Sequence, residues 1–125
     1  MKIVIHQELY SSKNSRQFVR LRNGRTVLLK SKRAQEQEDT LEEALDKQMA
    51  RWMEMADGKE FPIKVHFTVY RKTKRRWDWM NMIQGLADAM VEAGYIPDDS
   101  AEFFTPVFEE ALQDKNDPRV EFWVE

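Results

Sequence analysis

The sequence predicts a small α/β (α+β) domain, a mixed β-sheet with two main helices, in a single unit spanning residues 1–125. Three observations predict it. FPIKVHFTVYR (61–71) alternates apolar and polar residues at the period of a half-buried strand, and two other stretches repeat apolar residues at helical spacing. No linker, repeat or low-complexity tract divides the chain, and 125 residues suffice for one core.

Composition narrows the chemistry. With 42% hydrophobic and 34% charged residues the chain falls in the ordinary soluble class. No run approaches the roughly 20 apolar residues of a membrane span. MKIVIHQELY carries charged and polar residues too early for a secretory signal, so a cytoplasmic protein without a membrane partner is expected. The absence of cysteine removes disulfides and thiolate metal sites, and two histidines are too few for a His-rich zinc site. A bound metal must be held by oxygen.

Taken in order, KIVIHQEL (2–9) is a β-branched run suited to a first strand, and SSKNS (11–15) is the polar loop after it. QFVRLR-NG-RTVLLK (17–30) reads as a hairpin. Asn23-Gly24 supplies two positive-φ residues for a type I′ turn, which pairs Arg22 with Arg25, Arg20 with Val27 and Phe18 with Leu29. That register places Arg20, Arg22 and Arg25 on one face, either a phosphate-contacting surface or a merely solvated one. A long helix follows. Ser31 can cap an early start, but Thr40-Leu41-Glu42-Glu43 is a cleaner capping box. Leu41, Ala44, Leu45, Met49, Trp52, Met53 and Ala56 then form a stripe that ends before Gly58 and reads as core.

In the strand 61–71, Ile63, Val65, Phe67 and Val69 share one face, with Lys64, His66, Thr68 and Tyr70 on the other. His6 and His66 read as incidental. A second helix runs from Asp78 to a stop at Gly94, covered on one side by Met82, Ile83, Leu86, Ala89 and Met90. Residues 101–112 suit either a helix or a strand from Val107 to Gln113, although Pro106 argues against a regular helix. DKNDP (114–118) is a turn cluster, and Arg119 to Val124 alternates as a last strand, so a closing hairpin of 107–113 against 119–124 is expected.

Charge is polarised along the chain. Residues 1–33 hold nine Lys/Arg against the single acid Glu8, and RKTKRR (71–76) forms a second basic run, although the net charge is only −2. Such a chain can present a basic face to a polyanion or simply solvate its loops.

The second helix carries the candidate chemistry. Asp78, Asn81, Gln84 and Asp88 follow at spacings of three, three and four, which lines them along one stripe, and Asp98-Asp99 lie just past Gly94. Mg²⁺ takes one or two protein carboxylates and completes its octahedron with water and phosphate oxygens. Asp78 near Asp98 and Asp99 is a reasonable cage, with adjacent Lys/Arg holding a phosphate backbone. The blander alternatives are that Asp78 is only a helix cap and that Pro97-Asp98-Asp99-Ser100 is only a β-turn.

The order of these pieces resembles one family. A basic hairpin, LKSKRAQ, a helix, an alternating strand, an arginine-rich turn, a D-x-x-N helix, Asp98-Asp99-Ser100 and DKNDPRVEFWV are together similar to the RusA-type Holliday junction resolvases, over nearly the whole chain. The most specific pieces are Asp78, Asn81, Asp88-Ala89, Gly94 with Asp98-Asp99-Ser100, and Asn116-Asp117-Pro118-Arg119-Val120. The resemblance implies a homodimeric endonuclease that binds four-way DNA junctions and nicks two strands symmetrically in recombination and repair. It also implies Mg²⁺, with Mn²⁺ as the substitute, and a nucleoid-associated protein of host or prophage origin.

Carried over residue by residue, the family pattern D-x-D-N-x-x-K-x-x-x-D meets Asp78, Asn81 and Asp88, and Asp98-Asp99 meet its DD pair. Met80 stands where the second aspartate is expected and Gln84 where the lysine is expected. The implied roles are metal ligation by Asp78, Asp98 and Asp99, and orientation of phosphate or water by Asn81 and Gln84. Lys13, Arg16, Lys30, Lys32, Arg71, Lys72, Lys74, Arg75 and Arg76 are expected, on the same resemblance, to grip the DNA backbone. Two competing expectations are a relative that binds branched DNA without cleaving it, and a protein-interaction domain built on Trp77, Trp79 and Trp123.

Overall fold

The computed structural model describes residues 1–10, 16–30 and 32–125, leaving out the side chains of 16–18 and 28–30. The expected loop 11–15, with Lys13, and the Ser31 cap lie outside the described residues. In chain order the elements are β1 (Ile3–Ile5), β2 (Arg16–Arg20), β3 (Thr26–Lys30), α1 (Lys32–Lys47), α2 (Met49–Ala56), β4 (Ile63–Arg71), α3 (Trp79–Glu92), β5 (Phe104–Gln113) and β6 (Arg119–Val124). The predicted α+β class with a mixed sheet is the fold observed. Four strands form the main sheet in the order β1-β6-β4-β5, and β2 and β3 form a separate ribbon.

β4 is the axis of the main sheet. Its alternation buries Ile63, Val65, Phe67 and Val69 against the helices, with Phe122 and Val120 of β6 beside them. β5 pairs with β4 in parallel and β6 pairs with it antiparallel. The expected hairpin of 107–113 against 119–124 is therefore not formed, because β4 lies between those strands. The reason is directional: α3 returns the chain to the starting end of β4, so the next strand runs parallel to it. The turn 114–118 then crosses the end of β4, spanning the roughly 10 Å between strands two apart. Asp114 N–H donates to Arg71 O at 2.9 Å on the way. Residues 104–113 are strand throughout, which resolves the open choice for 101–112, and Pro106 sits on an edge strand where its missing N–H is tolerated.

The β2–β3 register differs by one residue from expectation. Phe18 faces Leu28, Val19 faces Val27 and Arg20 faces Thr26. Of the turn residues only Gly24 has positive φ (83°), and its N–H donates to Leu21 O at 3.0 Å while Leu21 N–H donates to Arg25 O. One left-handed residue after a tight turn makes a three-residue loop, not the two-residue type I′ loop. A one-residue slip reverses which partners share a face, so Arg20 and Arg25 fall on opposite faces of the ribbon.

The long helix is two helices. α1 begins at Lys32, and Thr40 does not cap it: its hydroxyl donates to the carbonyls of Glu36 and Gln37 inside the helix. The break falls at Gln48, whose side-chain amide reaches β1. Gln48 Oε1 accepts from Val4 N–H at 3.2 Å and Nε2 donates to Val4 O at 2.9 Å, so the amide acts as one more rung of the ladder. Leu41, Leu45 and Trp52 are buried, but Met53, assigned to the same stripe, is 64% exposed. The inward line runs through buried Leu41, Leu45 and Trp52 and partly buried Met49 and Ala56, and residue 53 falls on the flank of that stripe.

The first strand is shorter than the expected 2–9: only Ile3–Ile5 pairs with β6, and the chain then turns, with Gln7 N–H donating to Ile5 O. The outer face of the sheet carries a charged lattice. Arg119 donates to Asp114, Glu121 and the Asp117 carbonyl and lies 3.7 Å over the Tyr70 ring. His66 stacks on Trp123 and faces Glu109 from Nδ1 and Glu125 from Nε2, the latter at 3.1 Å. Asn116-Asp117-Pro118-Arg119 therefore reads structurally as the turn that closes this lattice.

Candidate active site

The site is assembled by two chain reversals around α3. At its start, Asp78 occupies the cap position in extended conformation (φ −108°, ψ 129°), and its carbonyl accepts the first helical bond from Met82 N–H at 3.1 Å. Its carboxylate makes no capping bond, so the simple cap reading does not describe it. Asp78 Oδ2 instead accepts from Asn81 Nδ2 at 3.3 Å. The acid is left exposed at the end of the basic segment.

At the far end, α3 stops in a Schellman arrangement. Gly94 adopts φ 82°, its N–H donates to Val91 O at 3.1 Å, and Tyr95 N–H donates to Met90 O at 2.8 Å. Tyr95 then plunges into the core, only 4% exposed, where it stacks on Trp52 with ring centroids 4.9 Å apart. Trp52 Nε1 donates to Tyr95 O at 2.9 Å, and the Tyr95 hydroxyl donates to Leu45 O at 2.5 Å. This anchor folds residues 95–99 back along α3 and brings Asp99 beside the helix middle.

Gln84 is the meeting point. Its Nε2 donates to Asp88 Oδ1 at 2.9 Å and to Asp99 Oδ2 at 3.2 Å, so one neutral amide bridges two carboxylates. The i,i+4 spacing of Gln84 and Asp88 was legible in the sequence; the approach of Asp99 was not. Asp98 is exposed next to it. Among the described residues, no three His, Cys, Asp or Glu side chains are grouped closely enough to hold a metal ion.

Two aromatic stacks fix the entrance to α3. Trp77 and Trp79 meet edge-on at 4.8 Å, and Trp79 lies flat against Phe108 of β5, 4.8 Å away and 6° from parallel. Both tryptophans are partly buried against the core, and Trp123 is occupied by His66 and by the Lys2 ammonium at 4.8 Å. The three tryptophans named above as an interface are thus packed within the chain.

The expected DNA-contacting residues separate into groups. Lys72, Lys74, Arg75 and Arg76 are exposed on the segment that leads to Asp78, and Lys32 is exposed at the start of α1. Arg16 and Lys30 face each other at the base of the ribbon, where their side chains are outside the description. Arg71 is different. It is buried, its guanidinium lies 5.8 Å from the Trp77 ring, and its Nη2 is 3.7 Å from Glu8 Oε1. Glu8 Oε2 in turn accepts from Lys72 N–H. Arg71 props up the basic segment from beneath. Sequence reasoning missed this because residue 71 continues the inward parity of 63, 65, 67 and 69, a signal that its charge concealed.

No helix among the described residues is long and apolar enough to cross a membrane. Comparison with known proteins adds a specific finding. A family model described as Endodeoxyribonuclease RusA matches residues 11–125, every element from β2 onward. No curated protein matches the chain. The family is one of endodeoxyribonucleases that resolve Holliday junctions. The matched span takes in Asp78, Asn81, Gln84, Asp88, Asp98 and Asp99, and on that match the chain belongs to the RusA endodeoxyribonuclease family.

Proposed function

We propose that this chain is a Mg²⁺-dependent endonuclease that nicks four-way and other branched DNA during recombination and repair, acting as a homodimer because a junction presents two symmetry-related strands. The observation that carries the reading is the convergence of Asp88 and Asp99 on Gln84, on the helix that begins at Asp78 directly after four exposed cations. Phosphate contacts supply most of the affinity of such an interface, and Lys72, Lys74, Arg75 and Arg76 provide them.

The donor chemistry suits a hard divalent ion, although Asp78, Asp98 and Asp99 are not gathered into one cluster in this structure. Asp78, Asp98 and Asp99 are exposed carboxylates, and Mg²⁺ needs only one or two of them, with water and phosphate oxygens in the remaining positions. In this reading these residues would close on the ion when it binds, and Mn²⁺ is the alternative metal. The chemistry it supplies when bound is activation of water and neutralisation of phosphate charge. The chain's own groups do the positioning. Asn81 steadies Asp78, and Gln84 fixes Asp99 relative to Asp88.

The test is nicking of a synthetic four-way junction with Mg²⁺ or Mn²⁺. Metal-dependent cleavage that Asp99→Asn abolishes is the expected result, and its absence refutes the enzymatic reading. A second reading, binding without cleavage, is favoured by Gln84 itself, which places an uncharged donor between two acids where the family pattern carries a lysine. It predicts tight, salt-dependent junction binding by a protein that does not cut.

A further inference from the structure

Beside the candidate site, sharing Gln84 and Asp99 with it, lies a cavity of about 110 Å³. Its apolar walls are Ile83 and Ala87 of α3, Phe104, Pro106 and Phe108 of β5, and Met80 at the rim. Its polar wall is Gln84 and Asp99, the residues joined in the site. Met80 stands in the first turn of α3 and is 71% exposed, the largest exposure among the large apolar side chains described. We infer that this cavity receives one unstacked nucleobase from the branch, with Met80 as the wedge that unstacks it. The inference rests on the junction-binding reading of the site.

Four features support a base as the occupant. A void of roughly 150 Å³ with apolar walls admits a benzene ring, so this one matches a single ring in scale. Methionine is among the apolar side chains that proteins insert between base steps, and an unpaired or branch-flanking base costs least to extrude. Gln84 and Asp99 carry oxygens that accept hydrogen bonds, which suits the amino and imino edges of bases.

The fourth feature is charge. A second cavity of about 330 Å³ lies farther along β5, lined by Thr73, Lys74, Arg75, Trp77, Leu112 and Gln113. Phe108 lines the first cavity and Ala111 the second, three positions on along the strand and roughly 10 Å away. An apolar slot next to a cationic one matches a base and its own backbone. A second copy of this chain brings the same cations into opposition, which disfavours it as the occupant.

The experiment uses four-way junctions with 2-aminopurine as the stacking neighbour of each branch-flanking pyrimidine, because a one-ring cavity excludes the purine probe itself, bound in metal-free buffer so that nothing is cut. The fluorophore is quenched when stacked. Wild-type protein is expected to raise its emission severalfold at one position. Met80→Ala, at a surface site that leaves the fold intact, is expected to lose most of that rise and to weaken binding by about fivefold, the scale of one lost base contact. A bound junction without a rise, or a full rise with Met80→Ala, overturns the inference while leaving junction binding standing. A protein that binds no junction overturns both. Sedimentation of Met80→Glu supplies a further outcome: a change in oligomeric state places a second copy in the cavity and overturns the base assignment.

Discussion

Replacing Tyr95 by phenylalanine removes one buried hydroxyl, and the structure sets both the size and the pH dependence of the effect. The hydroxyl donates to Leu45 O, which also accepts from Gln48 N–H at 3.0 Å, so the carbonyl keeps a partner in the variant. The cost near neutral pH is then that of one hydrogen bond, about 1 kcal/mol. Burial, with a smaller contribution from Asp46, pushes the Tyr95 hydroxyl from its ordinary 10.0 up to about 12. A proton held more tightly in the folded state stabilises fully below the unfolded value and is lost as pH rises toward the folded one. At about 1.4 kcal/mol per unit, wild type loses on the order of 2 to 3 kcal/mol through this group alone as pH rises from below 10 to beyond 12. Tyr95→Phe has no such loss. The wild-type advantage therefore vanishes near pH 11 and reverses above it. Urea denaturation followed by tryptophan fluorescence, in steps from about pH 7 to about pH 11.5, measures the difference, in which titrations common to both proteins cancel. A difference that stays constant over that range refutes the assignment of Tyr95 as a buried donor.

Three other outcomes follow from different parts of the molecule. Gly94→Ala forces a side chain into φ 82° at the end of α3; because the added Cβ meets only Met49 at 3.8 Å, backbone strain of about 1 kcal/mol is the expected cost, read from thermal unfolding, and an unchanged midpoint contradicts it. The Arg119 hydrogen bond, with help from the Asn116 amide, holds Asp114 below its ordinary 3.8, so the stabilisation present above that value is lost as pH falls through the lower, folded one. Arg119→Lys gives up the forked contacts to Asp114 and Glu121, and its acid-unfolding midpoint by circular dichroism is expected at higher pH than wild type; equal midpoints discount the lattice. Changing Lys72, Lys74, Arg75 and Arg76 together to alanine is expected to flatten the log–log salt dependence of junction binding by about 3 to 4, near 0.9 per phosphate contact, and an unchanged slope places the DNA elsewhere.

Periodicity made much of this fold legible. The alternation of 61–71 marked β4 and its buried face, and the spacing of Met82, Ile83, Leu86, Ala89 and Met90 marked the buried side of α3. Strand order was not legible, because nothing local to 107–113 says that β4 stands between it and 119–124. The β2–β3 register escaped for a different reason: Asn23-Gly24 serves a two-residue and a three-residue loop equally, and only the backbone of Asn23 separates them. In the site, the stripe Asp78, Asn81, Gln84 and Asp88 followed from helical spacing alone. The approach of Asp99 to Gln84 depends on Tyr95 being drawn under Trp52, a contact between residues 43 positions apart. Arg71 shows the limit of reading charge as exposure, since strand parity outweighed polarity there.

The Gln48 amide bears on how copies of this molecule can meet. β1 is only three residues long, and Ile3 and Ile5 are spent on β6, so Val4 holds the main-chain groups that face outward at that margin. Both are taken by Gln48, and Arg51 Nη1 donates to the neighbouring Lys2 carbonyl at 3.3 Å. Among the described residues the four-stranded sheet thus has one margin covered by a side chain and one further edge strand, β5. Open-ended stacking of sheets requires two free margins on every subunit. Edge-to-edge pairing of this sheet through β5 would leave only the margin that Gln48 covers, so such pairing closes as a two-fold pair.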